Sequence, residues 1–72
     1  MSKGKKQTTR VKELRLERMM SKAELARLAD LSPLTITRIE EGFKARLETK
    51  RKILEALGLS LADRHNVFFD EE

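Results

Sequence analysis

The sequence predicts an all-α fold, a compact set of five short helices in which the second and third are joined by a tight turn. Three observations lead there. Apolar residues recur three and four positions apart along most of the chain, the spacing that keeps them on one side of a helix. Start and stop signals mark off successive helical lengths: Ser21-x-x-Glu24, Ser32-Pro33 and Ser60-x-x-Asp63 as starts, Gly42 and Gly58 as ends. No period-two run of β-branched residues occurs, so no strand is expected.

With 72 residues the chain has room for one domain, whose core must be efficient. It contains no cysteine, so neither a disulfide nor a thiolate metal site can supplement that core, and the redox compartment is left open. The longest apolar runs are too short to span a membrane. The basic N-terminus leads into Gln7-Thr8-Thr9 rather than the apolar segment of a secretion signal. A cytoplasmic protein is the expectation. The net charge of +4 and pI near 9.8 favour a polyanionic partner. That charge is uneven: residues 1–20 carry seven basic and two acidic side chains, 21–41 three and four, and 42–72 six and six.

Taken in order, residues 1–8 read as a flexible basic arm, residues 9–69 as the helical domain and residues 70–72 as an acidic tail. The first helix is expected from about Arg10 to Met19, with Thr9 as its N-cap. Val11 and Leu14 face inward, extended by the Arg18 stem or by Met19. Arg15 lies at the edge of that apolar face, and Met20 reads as a buried plug.

Ser21 to Gly42 is the central stretch. The Ser21-x-x-Glu24 capping box opens a helix whose apolar residues are Leu25, Ala26, Leu28 and Ala29. The pattern breaks at Asp30-Leu31 and restarts at Ser32-Pro33, an N-cap followed by proline in the first helical position. Ile36 and Ile39 carry the next stripe, and Gly42 supplies the stop. Two helices meeting through so short a turn make a helix-turn-helix arrangement.

Phe43 to Arg46 reads as a basic loop. A fourth helix is expected from about Leu47 to Leu57, with Leu47, Ile53, Leu54 and Leu57 on its inner side and Gly58 ending it. Ser60 and Asp63 then open a fifth, roughly Leu61 to Asn66. Val67 and Phe68 are expected to close the core, leaving Phe69 exposed; a role in self-association is the alternative for all three. Phe43, beside the basic loop, is similarly open.

These residues resemble the Cro and phage-repressor type, or XRE-like, helix-turn-helix DNA-binding domain. The match runs from Val11 to Leu61, through Val11-x-x-Leu14-Arg15, Ser21-x-x-x-Leu25-Ala26, Leu31-Ser32-x-x-Thr35-Ile36-x-Arg38-Ile39-Glu40-x-Gly42 and Ile53-x-x-x-Leu57-Gly58-Leu59-Ser60. The resemblance implies a repressor-like fold and an ion pair between Arg15 and Glu40 tying the first helix to the end of the third. It also exposes departures. Asp30 stands at a turn position where the family often has glycine, and Lys22 where it often has glutamine. Ala45 and Arg46 replace the proline and serine often found before the fourth helix.

The function so implied is sequence-specific binding of double-stranded DNA by a small transcriptional regulator, with residues 33–41 as the recognition helix in the major groove. Pro33, Leu34, Thr37 and Arg38 are the expected base-contacting residues, Arg38 matching the two guanine acceptors and Leu34 a thymine methyl. Lys22, Thr35, Lys44 and Arg46 are the expected phosphate contacts. A homodimer is expected, because one such domain covers little DNA; its interface would lie at Leu57–Leu61 or Val67–Phe69. The N-terminal arm either reaches a neighbouring groove or stays a free tail. The rival reading is a helix-turn-helix module that binds a protein partner, as in an antitoxin or a regulatory subunit. RNA is disfavoured because Trp and Tyr are lacking. No enzyme, metal, cofactor or small-molecule site is expected: His65 is the one histidine, and a lone imidazole holds no metal.

Overall fold

The computed structural model describes residues 9–69, and within them the architecture is helical. The expected arm, 1–8, and tail, 70–72, lie outside the described residues. In chain order the elements are α1 (Val11–Glu17), α2 (Lys22–Ala29), α3 (Pro33–Glu40) and α4 (Leu47–Ala56), then a single 3₁₀ turn (Leu61–Asp63) running into α5 (Arg64–Val67). Among the described residues there is no strand, only an antiparallel bridge between Thr9 and Phe68. α2 packs on α3 and on α4, while the 3₁₀ turn and α5 pack back on α4. One core results, centred on Val11, Leu25, Ile36, Ile53, Leu54, Val67 and Phe68.

α1 is shorter than its periodicity implies. The Arg18 guanidinium closes off one of the last carbonyls of α1, donating to Leu14 at 3.1 Å, and also donates to the carbonyl of Leu57, the C-cap of α4, at 2.8 Å. The chain then turns through Met19, which adopts a left-handed φ of 55° and is 90 % exposed. Neither Arg18 nor Met19, both exposed, extends the inner face of α1, and Met20 is half-buried against the core. At the other end the N-cap is Arg10, one residue later than the expected Thr9, and it provides no side-chain cap; Thr9 Oγ1, one position outside, accepts from the Val11 amide at 3.3 Å.

Two further expectations fail for one reason. Leu28 and Leu47 are 55 % and 54 % exposed, because each lies at the edge of its helix's apolar stripe. Leu25, Ala26 and Ala29 carry the buried face of α2. On α4 the buried stripe is Lys50, Ile53 and Leu54, continued by Leu57. Lys50 sits mid-stripe, its residue only 7 % exposed and its ammonium 5.3 Å from the centroid of the Phe68 ring. The long apolar stem fills core space while the charge meets an aromatic face.

The expected fifth helix is split: the first turn is 3₁₀, and the α-helical turn follows. Asp63 reaches back to Ser60, accepting from its amide at 3.0 Å and from its hydroxyl at 3.2 Å, which tightens that first turn. Val67 and Phe68 close the core, and Phe69 is left exposed.

Candidate nucleic-acid interface

The two helices of the central unit are started and joined by local chemistry. Ser21 Oγ accepts from the Glu24 amide at 3.0 Å, and Ser32 Oγ from the Thr35 amide at 3.1 Å. Each bond satisfies one free donor at a helix start. Pro33 occupies the first turn of α3, where a missing N–H costs nothing. Between the helices Asp30 takes the left-handed conformation, φ 60° and ψ 46°, and its amide closes the end of α2. Aspartate tolerates that region better than most residues, so the turn forms without glycine.

What aims α3 is the set of side chains it buries. Ile36 and Ile39 sit in the core, and the Glu40 side chain, 4 % exposed, turns inward to Arg15. Arg15 Nε donates to Glu40 Oε2 at 2.7 Å and Nη2 to Oε1 at 3.3 Å, while Nη1 donates to the Met20 carbonyl at 2.8 Å. The guanidinium thus joins α1, the start of α2 and the end of α3. With those positions inside, helical geometry turns Leu34, Arg38 and Glu41 outward, with Pro33 and Thr37 flanking them.

Exposure follows that geometry. Pro33, Leu34, Arg38 and Glu41 are exposed and Thr37 is half-buried. Arg38 makes no side-chain hydrogen bond or ion pair among the described residues, so its guanidinium is available to a ligand. Of the expected phosphate contacts, Lys22 at the start of α2 and Lys44 and Arg46 in the α3–α4 loop are exposed. Thr35 is more committed: its hydroxyl lies 2.9 Å from Ser32 Oγ.

The structure gathers Thr35, Arg38, Lys44 and Arg46 around one shallow cleft of about 400 Å³, together with Ile39, Phe43, Ala45 and Thr49. Three cations on one concave surface raise the local potential for anions. Arg46 is the N-cap of α4 but provides no side-chain cap, so the cleft also borders a helix start with free amides. Lys22, Pro33, Leu34 and Thr37 do not line this cleft. Arg38 stands where the outward face of α3 meets it. Phe43, left open by the sequence, lines the cleft; no sequence pattern assigns Thr49 or Glu41 to the interface. Glu41 was within reach of spacing, three residues beyond Arg38 and seven beyond Leu34. Thr49 joins the cleft only through the path of the loop.

Among the described residues no group of three or more His, Asp or Glu side chains could hold a metal ion, and no helix is long and apolar enough to cross a membrane. His65 is exposed on α5. Comparison with curated proteins and with solved structures gives no match. The helix-turn-helix family model matches residues 11–63, the span from the first residue of α1 to the end of the 3₁₀ turn. The chain therefore belongs to the helix-turn-helix family of DNA-binding domains, of the Cro and repressor (XRE) type.

Proposed function

We propose that this protein is a small, repressor-like transcriptional regulator that binds double-stranded DNA sequence-specifically, with α3 in the major groove. The observation that carries this reading is the unpartnered Arg38 on the exposed face of α3, beside a cleft lined by Lys44 and Arg46. Base edges meet Pro33, Leu34, Thr37 and Arg38; phosphates meet Lys22, Thr35, Lys44 and Arg46. Two copies act together on paired half-sites. Leu57, Val67 and Phe68 are committed to the core, so Phe69 and the half-buried Leu59 and Leu61 are what those regions offer to a second copy. The site of action is the cytoplasm.

Selection of bound sequences from randomised duplex DNA tests this directly. The wild-type chain should enrich one site containing two related halves. Arg38→Ala should relax one base position by about 1–3 kcal/mol. A uniform loss on all sequences would move Arg38 from base reading to backbone contact.

A second reading has an observation of its own. Leu34, Phe43 and Leu47 are 57 %, 59 % and 54 % exposed, which suits a protein partner better than a phosphate backbone. Absence of any enriched DNA sequence would favour it.

A further inference from the structure

We propose that Glu41 is a specificity-determining residue of the reading face. Its carboxylate accepts from the exocyclic amine of a cytosine and holds phosphates away from that end of α3. This rests on the reading of α3 as the DNA-contacting helix.

Position is the first argument. Glu41 is the C-cap of α3, with φ −86° and ψ −1°, and its amide donates to the Thr37 carbonyl at 3.0 Å and the Arg38 carbonyl at 3.1 Å. It therefore stays in helical register, and its side chain follows Leu34 and Arg38 along the outward face. Ile36, Ile39 and the Glu40 side chain occupy the opposite, buried face. Two adjacent glutamates thus have different fates. Glu40 is consumed by Arg15, whereas Glu41 is exposed and makes no ion pair among the described residues.

Folding gives no reason for a carboxylate at this place. The C-terminal end of a helix carries partial negative charge, so an anionic side chain there is unfavourable. Nor does it serve affinity, because a negative charge three residues from Arg38 and three from Lys44 opposes the approach of a polyanion. A carboxylate that opposes both stability and general attraction is suited to discriminate between sequences by repulsion as well as by contact. Glutamate accepts from the cytosine amine in the major groove and finds no donor on guanine or thymine there, while on adenine the N7 acceptor beside the amine repels a carboxylate. Its repulsion of phosphate acts on every sequence, so it lowers non-specific binding and widens the gap to the correct site.

Selection from randomised duplex DNA with the full wild-type chain and Glu41→Gln, joined to binding measurements on an unselected duplex, provides the test. Wild type should enrich cytosine at one position, with discrimination of roughly 5- to 150-fold. Glu41→Gln should move that position toward adenine, which the amide matches, and leave the rest of the site unchanged. The variant should also hold the unselected duplex several-fold tighter. Glu41 is exposed and its charge is unfavourable at a helix C-terminus, so the variant should melt no lower than wild type, which removes loss of fold as a cause. If wild type enriches a site and Glu41→Gln returns the same site with the same non-specific affinity, the assignment to Glu41 is wrong while the reading of α3 stands. If wild type enriches nothing, the reading of α3 falls, and this assignment with it.

Discussion

Replacing Glu40 by alanine isolates what the contact between α1 and α3 is worth. The Arg15 guanidinium gives two donors to the Glu40 carboxylate and a third to the Met20 carbonyl. The two side chains are only 7 % and 4 % exposed, so water cannot replace a lost partner. Removing one member of such a pair leaves the other charge buried, at a cost of about 3–5 kcal/mol. A domain of this length has a total stability of roughly 4–11 kcal/mol, so the variant should lose a large share of it. At about 4–8 °C per kcal/mol, the melting midpoint should fall by at least about 12 °C. Urea unfolding followed by circular dichroism, extrapolated linearly to water, gives the number. The double variant Arg15→Met with Glu40→Leu should recover most of the loss, because apolar replacement of a whole buried pair is often near neutral. A Glu40→Ala loss under about 1 kcal/mol, or a double variant no better than Glu40→Ala, would refute the account.

Other perturbations separate folding from binding. Ser32→Ala removes the cap of α3 and should cost about 1 kcal/mol in the same unfolding assay. Asp30→Gly should stabilise by up to about 1 kcal/mol, since glycine adopts the left-handed turn without steric cost. Lys44→Ala should weaken binding to all DNA sequences alike and reduce the salt slope by about one, read by anisotropy across a salt series. Its melting curve should match wild type, because Lys44 is exposed in the loop.

The parts of the fold legible in the sequence are those governed by short spacing. Caps at Ser21, Ser32 and Ser60 announce themselves within three residues, as do Gly42 and Gly58, both of which take positive φ. Ile36, Ile39, Ile53 and Leu54 follow from helical period. Leu28 and Leu47 mislead because an apolar residue at the edge of a stripe has the same spacing as one at its centre. Lys50 misleads in the opposite sense: charge reads as exposure, yet its stem lies between Leu47 and Leu54 in the register that Phe68 covers. Arg18 bonds a carbonyl of Leu57, a residue distant in sequence, and no local pattern announces that. At the candidate interface, spacing and residue type name Pro33, Leu34 and Arg38, which are exposed, but also Thr37, which is half-buried. The meeting of Arg38 with Lys44 and Arg46 depends on the course of residues 43–46, which have no periodicity to read.

The bridge between Thr9 and Phe68, backed by the Arg10 amide donating to the Val67 carbonyl at 2.8 Å, bears on how the domain opens. It joins opposite ends of the described chain, a position where fraying would normally be easy. Here the seam cannot part alone, because Phe68 is 1 % exposed and Val67 2 %, and withdrawing them empties the centre of the core. Opening at the ends is thereby coupled to global unfolding. The Arg10 amide should exchange its hydrogen with solvent as slowly as the amides of Ile53 and Leu54, and so report the stability of the whole cooperative unit.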